Sequence, residues 1–158
     1  MRREDFPYQA QRLRATLIQI AAHIVGDRDE AEDIVQDVLL KLWTLCPQLQ
    51  PPIDALAKVV TRNLARDQLR RRHRTQAISD WDVGCDDDPP PDQHRLEHVL
   101  RCIDALPTLQ QLVIRLRHIE GMDYRRIASL TGSTETAVRK VISRARQTIR
   151  DQYLEEER

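Results

Sequence analysis

The chain has 158 residues and a mass of 18.5 kDa, which gives room for one medium domain or two small ones of about 60–80 residues each. Four glycines and 4% aromatics exclude a β-sandwich or barrel, which needs many turns and many strand-forming aromatics; the abundance of Leu, Ala, Arg, Gln and Glu favours helices. Basic and acidic side chains number 25 each, so net charge by itself does not point to a polyanion.

No apolar run approaches the roughly 20 residues that span a bilayer. The opening Met1-Arg2-Arg3-Glu4-Asp5 lacks the apolar core of a secretion signal. The expected setting is therefore cytoplasmic, with no direct membrane insertion. Cys46, Cys85 and Cys102 form no CxxC pair, and their odd number argues against a disulfide framework. Reduced, mostly buried thiols are expected.

The distribution of charge is more informative than its sum. Residues 46–74 have a net charge of +5, residues 75–95 of −5, and residues 122–150 of +5 again. Two basic blocks flank an acidic one. Same-sign blocks are usually partner surfaces or solvated tails, and two of them on helices suggest two contacts with one polyanion.

In chain order, the first helix is expected over about 8–25, with Leu13, Leu17, Ile20, Ala21, Ile24 and Val25 on helical spacing. Gly26 ends it. Asp29 is the expected cap of the second helix, with Glu32 three residues on. That helix runs to about Leu45 on a stripe of Ile34, Val35, Val38, Leu39, Leu42 and Trp43, which leaves Asp33, Gln36, Asp37 and Leu40 on another face. Pro47, Pro51 and Pro52 force a loop. A third helix is expected from about Asp54 to His73, burying Leu56, Val59, Val60 and Leu64.

Asp86-Asp87-Asp88-Pro89-Pro90-Pro91-Asp92 reads as an acidic, extended linker of polyproline character. The expected organisation is all-α, with domains at 1–74 and 94–158 joined by an acidic, proline-rich linker at 75–93. A second helical cluster is expected to begin near Asp92 or Gln93, its first helix carrying Leu96, Val99, Leu100, Ile103 and Leu106 and stopped by Pro107. Another helix follows with Leu109, Leu112, Val113, Leu116 and Ile119, ending at Gly121.

Residues 123–150 hold the sharpest local pattern. Asp123 can cap a short helix from Tyr124 to about Leu130; Thr131-Gly132-Ser133 supplies a tight turn; Thr134 to about Arg150 makes a longer helix. Ala128 suits a close helix crossing, Gly132 a turn at positive φ, and Ile127 with Val138 the wedge between the helices. Such a pair presents its second helix to the DNA major groove. Thr134, Glu135, Thr136, Arg139, Lys140 and Ser143 lie near that helix's start or on its outer face, and Arg139, Ser143, Arg146 and Arg150 oppose Val138, Val141, Ile142, Ala145 and Ile149. A plain helical hairpin with a solvated basic face is the alternative for this segment.

On the third helix Lys58, Arg62, Arg66, Arg70 and Arg74 recur every four residues. Each step rises ~6 Å and drifts ~40° around the axis, so they form a slowly winding ridge, thickened by Arg71 and Arg72. Asp67 is the one acidic residue nearby. Asn63 sits amid Val59, Val60 and Leu64, where an amide needs a hydrogen-bond partner; the backbone of the proline-rich loop or a base could supply it. His94, His98 and Cys102 are spaced i, i+4, i+8, but Leu96, Val99 and Ile103 already define that helix's core face, so no metal is expected. Nor does any motif indicate a catalytic residue or a cofactor.

The stretch Ala31–Trp43 resembles region 2.2 of bacterial RNA polymerase sigma factors, and Val60–Arg71, with Arg62-Asn63 followed by Asp67 and Arg70, resembles regions 2.3 and 2.4. Ala105-Leu106-Pro107 opens a segment similar to region 4.1, and residues 123–150 look like the helix-turn-helix of region 4.2. The short linker leaves no room for a middle domain, as in the extracytoplasmic-function (ECF) subgroup.

The resemblance implies a non-enzymatic sigma factor, with RNA polymerase core and promoter DNA as partners and commonly an anti-sigma factor as inhibitor. It implies core-polymerase contacts at Asp33, Gln36, Asp37 and Leu40. It implies capture of the −10 strand by Lys58, Arg62, Asn63, Arg66, Arg70 and Arg71, with a flipped base pocketed by the loop at about 46–53. It implies −35 readout by Ser133, Thr134, Thr136, Arg139, Lys140, Ser143 and Arg146. Two departures stand out: Ile53, Asp54 and Ala55 replace aromatics common before the −10 helix, and Tyr124-Arg125-Arg126 replaces a more usual acidic residue before Ile127. The competing readings are a stand-alone helix-turn-helix regulator and a helical adaptor that docks acidic partners.

Overall fold

The computed structural model describes residues 1–80 and 91–156, with side chains at 1–76 and 93–156. All extended regular structure among them is helical: α1 (Phe6–Val25), α2 (Arg28–Leu45), α3 (Asp54–Asp80), α4 (Pro91–Asp104), α5 (Thr108–His118), α6 (Tyr124–Thr131) and α7 (Glu135–Glu156). The chain divides into two compact units, Met1–Asp86 and Asp87–Arg158. No helix among the described residues is long and apolar enough to cross a membrane.

The first unit is a bundle in which α1, α2 and α3 each pack on the other two. Leu13, Leu17, Ala21 and Val25 of α1 meet Ala31, Val35, Val38 and Leu42 of α2, and Leu56, Ala57 and Val60 of α3, all buried. The turn between α1 and α2 is tight. Gly26, at φ +76°, closes α1 with its N–H on the Ala22 carbonyl. Asp27, not Asp29, caps α2, its Oδ1 accepting from the Glu30 N–H at 2.8 Å. The pairs Asp27/Glu30 and Asp29/Glu32 have the same spacing; the earlier one is used because the chain re-enters a helix directly after Gly26. Glu32 lies 3.5 Å from Arg28 Nε instead.

Between α2 and α3 the chain makes one short turn at Cys46–Gln48. Cys46, Leu49 and Ile53 are fully buried. Burying one large aliphatic side chain stabilises by about 1.5–3 kcal/mol, so Leu49 and Ile53 anchor the loop while Pro47, Gln48, Gln50, Pro51 and Pro52 face solvent. The Cys46 thiol lies 3.5 Å from the carbonyls of Met1 and Arg2.

Helix α3 outruns its expected end at His73 and continues through Asp80, because residues 74–80 contain neither Gly nor Pro. Helix α4, expected from near Asp92 or Gln93, opens at Pro91, the last proline of the acidic run; proline is tolerated in a helix's first turn, where its missing N–H has no partner to lose. Helix therefore occupies both ends of segment 75–93, and the remainder of the acidic run, 81–90, lies outside the described residues.

In the second unit α7 packs against α4, α5 and α6. Its Val138, Ile142 and Ala145 are buried with Cys102, Ile103 and Leu106 of α4, Leu112, Val113 and Leu116 of α5, and Ile127 and Ala128 of α6. Two core expectations fail. Ile119 is exposed because α5 ends at His118, and Ile114 is buried in its place because α5 meets α4, α6 and α7. Leu96 remains 58% exposed because the buried part of α4 is its later turns, Cys102 and Ile103.

Candidate nucleic-acid interface

Three exposed helical surfaces carry the residues singled out from the sequence. On α2, Asp33, Gln36, Asp37 and Leu40 are all exposed, Leu40 at 64%. Their spacing of three and four sets them along one face, and the buried Ile34, Val35, Val38 and Leu42 take the other. The face is acidic and amidic, with an uncovered leucine beside it.

On α3, Arg62, Arg66, Arg70, Arg71 and Arg74 are exposed and Lys58 is half-buried. Arg70 pairs with Asp67. Arg72 does not thicken the ridge: it turns inward, donating to the Val25 carbonyl at 3.1 Å and pairing with Glu30. The helix starts at Asp54, whose two carboxylate oxygens accept from Arg12 Nη1 and Nη2 at 2.8 and 2.6 Å. Those hydrogen bonds, the leading cause, hold the Asp54 carboxyl below the usual carboxylate range. The substituted stretch Ile53-Asp54-Ala55 is thus a core plug, an anchor to α1 and one exposed alanine.

Asn63 is only 7% exposed. Among the described residues its Oδ1 has no hydrogen-bond partner, so the bond to the proline-rich loop that would satisfy this oxygen is not made. An unsatisfied buried acceptor costs about 1–3 kcal/mol. Thr61, buried beside it in sequence, returns its hydroxyl to the Ala57 carbonyl at 2.8 Å.

In the second unit, Asp123 Oδ1 accepts from the Arg126 N–H at 2.7 Å and starts α6. Gly132, at φ +63°, ends it. Thr134 Oγ1 accepts from the Ala137 N–H at 3.1 Å and caps α7; the cap uses one lone pair of that hydroxyl and not its O–H. The Ser133 hydroxyl lies 2.8 Å from that of buried Thr131. Thr136, Arg139, Lys140, Ser143 and Arg146 are exposed along α7.

Two of these arginines are held by residues that sequence reasoning did not connect to them. The Arg139 guanidinium lies over the Tyr124 ring, 4.4 Å from its centroid, and Arg117 of α5 lies over the same ring at 4.8 Å. Arg146 Nη2 donates to His118 Nε2 at 3.2 Å. Arginine cannot accept, so this contact requires the proton of His118 on Nδ1. Burial, then the charges of Arg146 and Arg117, pull the His118 pKa below its ordinary value. No regular spacing links residues 117 and 118 to 124, 139 and 146, so periodicity held no signal for these contacts.

The trio His94, His98 and Cys102 does not converge on a ligand. The His98 ring stacks on Tyr153 with centroids 4.4 Å apart, and its Nε2 lies 2.6 Å from Glu156 Oε2 without hydrogen-bond geometry. Cys102 is buried, and burial raises its thiol pKa. Cys46 is also a buried free thiol; Cys85 lies outside the described residues.

Comparison with known proteins decides the family. The model of sigma-70 region 2 matches residues 10–75, and that of sigma-70 region 4 matches residues 96–149. The first covers α1, α2 and most of α3; the second covers the helix-turn-helix and the helices that carry it. The chain belongs to the sigma-70 family, in its ECF type. It is 36% identical to the probable RNA polymerase sigma factor RfaY of Xanthomonas campestris pv. campestris, over 89% of this chain and 38% of that protein. It is 30% identical to the ECF RNA polymerase sigma factor SigE of Mycolicibacterium smegmatis, over 84% of this chain and 55% of that one. The chain therefore spans about half or less of the length of these curated relatives. A co-crystal structure of the sigma factor RpoE with the anti-sigma factor NepR from Bartonella quintana aligns over 98% of this chain and 99% of its own, at 25% identity and a TM-score of 0.45. This family acts by binding and not by catalysis.

Proposed function

We propose that this chain is a sigma factor that binds RNA polymerase core and directs initiation at specific promoters. The observation that carries the reading is the order of regions 2 and 4 along two helical units, each with an exposed basic helix. The α2 face of Asp33, Gln36, Asp37 and Leu40 docks on core polymerase. It is solvent-exposed and contributes nothing to the bundle's core, which supports a role toward a partner.

The α3 residues Lys58, Arg62, Arg66, Arg70 and Arg71 hold the backbone of the opened −10 strand. Asn63 offers its unpaired Oδ1 to a base donor, and the exposed rim of the 46–53 loop receives the extruded base. Extrusion costs a few kcal/mol, offset by the phosphate contacts and stacking of a single-strand site. In the second unit α7 enters the major groove at the −35 element through Thr136, Arg139, Lys140 and Ser143. Ser133 and Thr134 lie at the turn, and Arg146 reaches a phosphate. Action is cytoplasmic, where polymerase and promoter are, and an anti-sigma factor restrains the protein by covering these faces.

The test is in-vitro transcription with purified core polymerase on a genomic fragment library. Promoter-specific transcripts that require both components are expected. Charge reversal at Asp33 and Asp37 abolishes co-purification with core, and neutralising the α3 arginines blocks promoter opening. The complete helix-turn-helix in its own unit favours one alternative, a stand-alone regulator. Specific duplex binding without polymerase, and no effect of the chain on transcription by core, would establish that instead.

A further inference from the structure

The geometry points to Tyr124 as a positioning residue that presents Arg139 for bidentate readout of a guanine in the major groove, and this rests on the DNA-reading role proposed for α7. Tyr124 is the first residue of α6, directly after its cap Asp123, so the backbone that carries the ring is fixed. Arg117 also lies over the ring, at 4.8 Å, and is itself pinned, with Nη1 donating to the Met122 carbonyl at 2.9 Å. Arg139 extends from the early part of α7 and lies 4.4 Å from the ring centroid. The last turn of α5, the start of α6 and the start of α7 thus meet at one aromatic ring.

The chemistry of this contact differs from an ion pair. A carboxylate would fix Arg139 by consuming its N–H donors. An aromatic ring attracts the cation through its quadrupole and takes no conventional hydrogen bond. Among the described residues no hydrogen bond or ion pair engages the Arg139 side chain, which is exposed. Its donors are thus free, and part of its rotamer freedom is already spent before DNA arrives, which lowers the ordering cost of binding. Two adjacent donors match guanine O6 and N7 in the major groove. Residues near the start of such a helix reach base edges, whereas later ones meet the backbone.

The test uses the full chain with core polymerase on a promoter in which each G·C pair of the −35 element is replaced in turn. Discrimination is read as the ratio of initiation rates for intact and replaced pairs. Arg139→Ala is expected to erase discrimination at one G·C pair. Tyr124→Leu is expected to lower discrimination at that same pair by about two- to fivefold, the factor an exposed cation–π contact corresponds to, and to leave the other pairs unchanged. Tyr124→Phe, which keeps the ring, retains wild-type discrimination. Tyr124→Leu added to Arg139→Ala changes nothing further.

A uniform loss at every pair, with or without a lower melting temperature, shows a merely structural ring and overturns the inference. So does a Tyr124→Leu effect that persists without Arg139, or its absence in an otherwise active protein. Failure of the wild-type chain to support any promoter-dependent initiation overturns the sigma-factor reading itself, and the inference with it.

Discussion

Arg72, in the C-terminal half of α3, donates to the carbonyl of Val25, the last residue of α1, at 3.1 Å and pairs with Glu30 in the first turn of α2. One guanidinium thereby satisfies an orphan carbonyl at a helix end and ties all three helices of the bundle together. Its arginine neighbours on the ridge are exposed; this one is structural. Arg72→Met is expected to destabilise the first unit by about 1–2 kcal/mol, the range for a partly screened hydrogen bond of a charged group. Arg62→Met, on the exposed face, should stay within about 0.5 kcal/mol. Urea denaturation of the full chain followed by circular dichroism separates them; equal midpoints would contradict the assignment.

Two aspartates compete on paper for the cap of α2, and the structure selects Asp27. Asp27→Ala is expected to cost about 1 kcal/mol, as loss of a helix cap does, whereas Asp29→Ala should cost only a few tenths through the helix dipole. Thermal melts of the two variants check the order. A larger loss from Asp29→Ala would return the cap to the later position.

Burial, then the charges of Arg146 and Arg117, hold the pKa of His118 below 6.5 in the folded chain, where the ring accepts from Arg146. Between that lower value and 6.5 the unfolded chain binds the proton more readily than the folded one. Stability of the second unit is therefore complete above pH 6.5 and declines as pH falls toward the folded value. His118→Gln keeps an acceptor for Arg146 and removes the titration. Melting temperatures measured from pH 7.5 to 5.5 should fall less steeply for the variant; identical slopes would refute the linkage.

Ala128 is buried where α6 crosses α7, beside the fully buried Ile127 and Val138. Ala128→Leu should destabilise the helix-turn-helix by about 1–3 kcal/mol through overpacking and weaken −35 recognition with it. Hydrogen exchange should show faster opening of α6 and α7. Unaltered protection there would mean that the crossing has slack.

The helices were legible because each buries a stripe on the 3.6-residue period, and that period survives in the letters. The ends at Gly26, Asp123 and Gly132 were legible because local chemistry makes them: a left-handed backbone or a carboxylate over a free N–H. The Asp27 cap was missed because two pairs have the same spacing. The full length of α3 is not legible because nothing local marks where a helix of polar and charged residues stops, and the start of α4 is legible only to within a residue or two because proline fits both a linker and a helix's first turn.

The candidate surfaces divide in the same way. Periodicity placed Asp33, Gln36, Asp37 and Leu40 on one outer face, and the α3 arginines on a ridge, since solvent exposure follows from lying opposite a buried stripe. It could not separate Arg72 from Arg71, because the Val25 carbonyl that takes Arg72 belongs to another helix. Nor could it find the ring under Arg139 or the imidazole beside Arg146.

An all-helical chain of the sigma-70 family, the outward face of most helices and several caps can be read from the letters, since these patterns repeat over a few positions. What holds Arg72, Arg139 and Arg146 follows from packing alone, because their partners lie 15 to 47 positions away, and a contact between distant residues exists only after packing has brought their helices together.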